Sequence, residues 1–374
     1  MVRQVCPGSK GVDSIVRKSQ IVFTFISAAL LSSQWVAAQP PGVVFPGEDW
    51  EHYESPEAAG YSTEKLKDIH EYIVNESNIT GLMVVVGGKV MADYGDVEEL
   101  SYIASCRKSI LAMLYGKYVE NGTIDLEKTL EELHIDDNEG LLPIEKKATI
   151  HHLITARSGV YHPASNGGDN SADAPPRGSQ QPGEYLLYNN WDFNAAGAVF
   201  EMLTGMNIYD ALERDLARPI GMQDFDRWRQ RKSGNLKRSR NPAYHMWFST
   251  RDMARIGYLM LREGNWNGEQ VVSKAWARRI VSLVTPLEEM NPVRRRDGYL
   301  GYGYMWWIWD GPQATGPFEG AYTARGMWGQ WITVLPKLDM VLAVKTKSAY
   351  RRTASWESFE EILRRLFDAR IETN

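Results

Sequence analysis

Residues 102–121 read Tyr102-Ile-Ala-Ser105-Cys106-Arg107-Lys108-Ser-Ile-Leu-Ala-Met-Leu-Tyr-Gly-Lys-Tyr-Val-Glu-Asn121. Ile110, Leu111, Leu114, Tyr115 and Val119 recur at helical spacing, so the stretch predicts a helix that opens at Ser105 and stops at Asn121-Gly122. A serine in that place is ordinarily an N-cap. Here Lys108 follows three residues later on the same helix face, which brings an amine toward the hydroxyl. The hydroxyl also stands at the positive end of the helix dipole, where an alkoxide or oxyanion is favoured. Ser-x-x-Lys recurs by chance in chains of this length, so its meaning rests on what surrounds it.

Upstream, Ser62 is placed to cap a helix through Leu66, Ile69, Ile73 and Val74. Residues 81–95 then read as a strand, a Gly87-Gly88 turn and a second strand. Downstream, residues 149–161 predict a helix stopped at Ser158-Gly159, with Tyr161 and His162 just beyond. His162 is expected as a loop residue rather than a catalytic base. Residues 162–183 are rich in Pro, Gly, Ser, Asn and Asp, and a loop of that length is either functional or disordered. It runs into Tyr188-Asn189-Asn190, where a phenol and an amide stand two residues apart on a turn entering a helix over 194–203. The plain reading is a buried tyrosine with a capping asparagine. The chemical one is a phenol that shuttles a proton, which would need its pKa lowered by cations such as Lys108.

The basic run over 227–240 is expected as a solvated loop. Ser249 or Thr250 caps an amphipathic helix, and Ser273 opens another. After Asn291 the period becomes strand-like, with three candidates at 301–309, 322–335 and 340–345, and Ser355 caps a final amphipathic helix. The expected class is therefore α+β: an antiparallel sheet flanked by terminal helices, with an inserted all-helical lobe. The α/β lobe would span about 61–105 and 292–368, and the helical lobe about 106–291.

Composition is ordinary for a globular chain of 374 residues, 43% hydrophobic and 24% charged, with a formal charge of −5. That acidic balance argues against a nucleic-acid partner. Residues 21–31 form an apolar block behind Arg17-Lys18, and Val36-Ala37-Ala38 offers small residues for cleavage. This predicts a signal peptide over 1–38, a periplasmic or secreted protein, and no membrane span once it is removed. Residues 39–60 are Pro- and Gly-rich and read as an extended linker. The two cysteines, Cys6 and Cys106, build no disulfide framework, and Cys106 is expected as a small packing residue. No His-Glu-x-x-His, Gly-x-Ser-x-Gly or Gly-x-x-x-x-Gly-Lys-Ser/Thr pattern is present.

Three elements stand in order: Ser105-x-x-Lys108, Tyr188-x-Asn190, and the Gly-rich stretch Arg325-Gly326-Met327-Trp328-Gly329-Gln330. Together with Thr149-Ile-His-His-Leu-Ile-Thr-Ala-Arg-Ser-Gly and Gly301-Tyr-Gly-Tyr-Met-Trp-Trp, they resemble the serine β-lactamase and penicillin-binding-protein superfamily. The likeness is nearest the class C-related branch that includes esterases and 6-aminohexanoate-dimer hydrolases, and it covers about 60–368. It implies Ser105 as nucleophile, Lys108 as the amine that keeps Tyr188 acidic, and Tyr188 as general base. Asn190 would orient the substrate carbonyl or the Lys108 amine. The backbone N–H groups of Ser105 and of a residue after Gly326, taken as Met327, would form the oxyanion hole. The implied activity is hydrolysis of a small ester, amide or β-lactam through an acyl-enzyme, with no cofactor and no metal. A protein acylated without efficient turnover, of penicillin-binding or sensor type, is the alternative. One departure weakens the β-lactam expectation: Ala324-Arg325-Gly326 stands where relatives carry Lys-Thr-Gly. Arg325 is the candidate replacement for the missing cation, although neighbours on a strand face opposite ways. Trp328 and Tyr161 are candidates for an apolar acyl pocket.

Overall fold

The computed structural model describes residues 43–349 and 352–371. The expected signal peptide lies outside the described residues. Eight α-helices are found among the described residues: α1 Thr63–Asn75, α2 Cys106–Glu120, α3 Ile150–Ile154, α4 Asn190–Thr204, α5 Ile208–Leu212, α6 Thr250–Leu261, α7 Lys274–Ile280 and α8 Trp356–Asp368. The main sheet is built from β1 Gly81–Val86 and β2 Lys89–Gly95 with five late strands. Between them lie three short ribbons, β3 Ser101–Tyr102 with β6 Trp247–Phe248, β4 Arg231–Ser233 with β5 Ala243–His245, and β7 Asn265–Trp266 with β8 Glu269–Gln270. The late strands are β9 Leu300–Tyr302, β10 Trp307–Trp309, β11 Tyr322–Gly326, β12 Gln330–Leu335 and β13 Met340–Lys345. All seven are antiparallel, in the order β2-β1-β13-β12-β11-β10-β9. The early hairpin and the late strands thus share one sheet, as the sequence predicts.

Five late strands stand where three were expected. The 322–335 stretch folds back at Met327-Trp328-Gly329, where Trp328 (φ 66°) and Gly329 (φ 94°) take left-handed backbone. The 301–309 stretch folds back through Met305 (φ 60°). An unbroken apolar run hides such turns, because period 2 continues on either side of them.

β1 and β13 are buried along their whole length, since both faces of the sheet are covered. Leu82 and Val84 face α1 and α8 among Ile69, Ile73, Ile362 and Leu366. On the opposite face a Cβ at Gly81 would meet Thr250 Oγ1 at 2.4 Å, at the start of α6. A Cβ at Gly257 would stand 2.5 Å from Val341 Cγ1, so α6 lies directly on β13. This corrects the expected lobe boundary, which placed α6 inside the helical insert. Its buried stripe of Met253, Ile256, Gly257 and Met260 is a sheet-facing surface. Residues 43–60 also do more than connect. Trp50 is buried, and Val90 of β2 exchanges backbone bonds with Glu51 and Tyr53. The basic run is partly ordered too, since it supplies β4.

α2 is buried nearly all round, with only Lys117, Val119 and Glu120 outside its buried set, as befits a helix with neighbours on every side. Cys106 Sγ donates to Gln330 O at 3.4 Å, joining the helix start to β12. Tyr115 donates to Ala196 O of α4, and Trp276 of α7 donates to Ala112 O. The N-terminus of α2 is thereby fixed between sheet and helices.

Candidate active site

Ser105 precedes the first turn of α2, yet its side chain caps no backbone N–H. The ordinary capping explanation fails, and the hydroxyl is left for other partners. Lys108 Nζ donates to Ser105 Oγ at 3.2 Å and to Tyr188 Oη at 2.7 Å. The Lys108 Nζ also lies 4.1 Å from the Tyr188 ring centroid and 4.3 Å from that of Phe193. The residue before the serine, Ala104, has φ 48°, a left-handed conformation that costs a non-glycine residue about 1–2 kcal/mol. That strain turns the chain from β3 sharply into α2.

Tyr188 arrives from the other side of the molecule. Asn189 caps α4 by accepting from Asp192 N at 3.0 Å, and Tyr188 O accepts from Asn170 N at 2.8 Å. The helix begins at Asn190, four residues earlier than the sequence pattern indicates. The ring packs on Phe193 and Trp307, with centroids 4.9 and 5.3 Å away.

Burial pushes the Lys108 amine well below its ordinary value, and the neighbouring Arg107 charge adds to the push. Burial raises the Tyr188 phenol to about 12, against opposing contributions from its Ser105 hydrogen bond and the arginine charges. The resemblance implies a Lys108 that keeps Tyr188 acidic, whereas desolvation, the larger cause here, acts in the other direction. Desolvation acts on both groups and disfavours both charged forms.

Gly326 closes the site from β11. A Cβ there would stand 2.6 Å from Ile103 O and 3.1 Å from Ser105 N. Only a bare Cα lets β11 approach the serine backbone this closely. Gly326→Ala should therefore displace the serine turn. A shift of about 1 Å at such a point costs about 100-fold in rate. A steady-state assay of Gly326→Ala that retains more than a third of wild-type activity would contradict this packing argument.

A cleft of about 340 Å³ opens over Ser105. Tyr188, Trp307, Arg325, Gly326, Met327 and Trp328 line it, with Met327 and Trp328 about half-exposed. The long 162–183 loop contributes Gly168, Asp169 and Asn170. Arg295, Trp331 and Trp356 also line it, and sequence reasoning missed all three. The Arg294-Arg295-Arg296 run was the available signal for the first. The tryptophans resemble core residues until the fold brings their strand and helix to the cleft.

Two expected site residues are placed differently. Asn190 makes no hydrogen bond to Lys108. Its Nδ2 donates to Gly167 O at 2.9 Å, its backbone N–H to Asp169 Oδ2 at 2.7 Å, and its Oδ1 is buried without a partner. Tyr161 is not among the residues lining the cleft. Its segment is anchored elsewhere: Ser158 Oγ donates to Asp192 Oδ1 at 2.6 Å, and His162 Nε2 bonds Asn138 O at 2.7 Å. Those two anchors hold Tyr161 away, with its hydroxyl buried and unpartnered.

Solved structures share this fold. A Bacillus anthracis chain whose name proposes 6-aminohexanoate-dimer hydrolase activity superposes with a TM-score of 0.63 at 18% identity, over 88% of each chain. EstCE1, described as a hydrolase with promiscuous acyltransferase activity, gives 0.60 at 15% identity, over 85% of this chain and 99% of that one. A penicillin-binding protein from Bacillus halodurans gives 0.59 at 16% identity, over 80% and 100%. By sequence, an uncharacterized protein of Alkalihalophilus pseudofirmus is 22% identical over 263 residues, 64% of this chain and 71% of its own. The monacolin J acid methylbutanoyltransferase of Aspergillus terreus is 26% identical over 153 residues, 33% of this chain and 37% of its own. The beta-lactamase family profile matches residues 74–359, and the chain belongs to the beta-lactamase family.

Proposed function

We propose that this protein is a serine hydrolase that cleaves a small ester or amide through an acyl-enzyme on Ser105. The observation that carries the reading is the bridging position of Lys108 Nζ, at hydrogen-bond distance from both Ser105 Oγ and Tyr188 Oη. A neutral amine beside a hydroxyl is a proton acceptor, and burial shifts this amine toward its neutral form. Ser105 Oγ attacks the carbonyl carbon while its proton passes to the Lys108–Tyr188 pair. The tetrahedral oxyanion forms against the backbone N–H groups of Ser105 and Met327. The pair returns the proton to the departing alcohol or amine as the carbonyl re-forms. Water then repeats the sequence, with the same pair taking its proton and giving it back to Ser105. Removing one oxyanion donor in such a site costs about 100- to 1,000-fold.

Family membership and the hydrolases among the similar folds support hydrolysis. Two of the relatives are named for acyl transfer, so an alcohol in place of water is the natural second acceptor. The periplasmic or secreted setting remains part of this proposal. Among the described residues no helix is long and apolar enough to cross a membrane.

Tyr188→Phe tests the pair. It should lower kcat by about 100- to 10,000-fold while leaving the thermal midpoint within a few degrees. In wild type, kcat/KM should fall on the acid side as Lys108 takes up a proton, and that limb should sit well below the pH at which an ordinary lysine titrates. Wild-type rates in Tyr188→Phe would remove the tyrosine from the mechanism.

A further inference from the structure

We propose that Arg107 is a positioning residue of the reaction that acts through Lys108: a permanent buried charge that fixes the acid limit of activity. This rests on the hydrolase reading above and on Lys108 as its proton acceptor.

Arg107 is costly to hold where it stands. It is 1% exposed, on the first turn of α2, and no carboxylate lies within ion-pair distance of it among the described residues. Its Nη2 donates to Asn194 Oδ1 at a long 3.4 Å, and its Nε is buried with no partner. The guanidinium carbon lies 4.9 Å from the Tyr244 ring centroid. An arginine does not escape burial by giving up its proton, so the charge stays. That charge stands at the positive end of the helix dipole, where a cation is disfavoured, and the first turn holds no acidic residue to offset it. The next residue, Lys108, is a second buried basic group. For packing alone an apolar side chain would serve better, since an unpaired buried charge is destabilising.

The two basic side chains run side by side onto α4. Lys108 Nζ lies against the Phe193 ring, and Arg107 bonds the following residue, Asn194. Around Arg107 stand Tyr102 of β3, Tyr209 of α5, and Tyr244 and His245 of β5. Burial raises the three phenols and holds His245 down at about 4, so none of the four answers the charge at neutral pH. Glu201 of α4 reaches Tyr209, but it is held by Lys232 and by Ile208 N. The other charges that reach these rings and Tyr188, namely Arg227, Arg231 and Arg295, are also positive.

The field of Arg107 therefore falls on the reacting pair. After burial it is the largest influence on the Lys108 amine, and it acts to keep a proton off. Cys106 and Asp169 act the other way and more weakly, and Asp169 is engaged by Asn190 N and the Ser171 hydroxyl, each at 2.7 Å. The same charge favours the phenolate form of Tyr188. Both effects run in the direction the reaction needs: an amine readier to accept a proton and a phenol readier to give one.

The test is the pH profile of kcat/KM for p-nitrophenyl acetate with the full-length enzyme, wild type against Arg107→Met and Arg107→Gln. Methionine keeps most of the length, glutamine keeps a polar group for Asn194, and both remove the charge. Without that charge Lys108 takes up a proton more readily, so the acid limb should move to higher pH by about one unit in each variant. Below both limbs, that is a further loss of about 10-fold relative to each variant's own plateau. The limb is read within one preparation, so loss of folded protein cancels. Labelling of Ser105 by a fluorophosphonate at the same pH values should show the same displacement without product release. The thermal midpoint of Arg107→Met should hold or rise. Acid limbs that stay within about a third of a unit of wild type in both variants, or move to lower pH, overturn the proposal. A lowered midpoint with an unmoved limb would make Arg107 a packing residue only. Wild type that turns over no ester and takes no label overturns the hydrolase reading instead.

Discussion

Ser105→Ala should lower kcat/KM for an activated ester by about 10,000- to 1,000,000-fold, with no acyl adduct left on the protein. The expected size follows from what the hydroxyl does. It is the atom that would become covalently bonded, and no neighbouring side chain can replace it. Cys106, the adjacent nucleophile, is fully buried with its thiol pushed up by desolvation and bonded to Gln330 O, so it offers no bypass. The fold should be indifferent, because Ser105 Oγ caps nothing. Intact-protein mass spectrometry after exposure to a slow ester or a β-lactam separates the two readings. An adduct on wild type that persists with no product release favours an acylated sensor. An adduct of undiminished yield on Ser105→Ala would place the chemistry on another residue.

Lys108→Met should abolish turnover nearly as completely, by about 1,000- to 10,000-fold, and should change stability in a pH-dependent way. The lysine is 1% exposed and no carboxylate lies within ion-pair distance among the described residues. Its amine is held well below the ordinary 10.5 in the folded state, so the unfolded chain binds more protons across the interval between the lowered value and 10.5. Wild-type stability therefore rises with pH through that interval, and the burial penalty is greatest below it. Methionine, similar in length and uncharged, escapes the penalty. The variant's thermal midpoint relative to wild type should be more favourable at pH 6 than at pH 10, by roughly 2–5 °C. A difference that is flat across that range would mean the amine is not desolvated in solution. Activity and stability pull in opposite directions at this residue, which is the expected pattern for a buried group kept for chemistry.

The central helix was readable because its period is local and its boundaries are marked by Ser105 and Asn121. The same holds for α1, α6 and α8, each opened by a serine whose hydroxyl accepts from a backbone N–H. The pairing of the 81–95 hairpin with the last strands followed from the simplest packing, one sheet covered by the terminal helices. What misled was any feature set by distant contacts. Trp328 in left-handed backbone breaks a strand that its apolar neighbours appear to continue. Tyr161 is next to a predicted helix end, but Asp192 and Asn138 decide where its segment is tied. Asn190 stands two residues after Tyr188, yet its amide is spent on Gly167 rather than on the lysine.

The sequence by itself determined the family and the candidate reactive groups: a hydroxyl and an amine one helical turn apart, a phenol on a later turn, and a glycine-rich strand, all in a fixed order. Spacing within one helix is geometry, because 3.6 residues per turn leaves Ser105 and Lys108 no choice but to share a face. Only the tertiary structure decided which way the Lys108 amine shifts and the composition of the cleft. Desolvation depends on every element packed around the amine, and the convergence of Arg295, Arg325 and Trp307 depends on three chain segments that no local pattern relates.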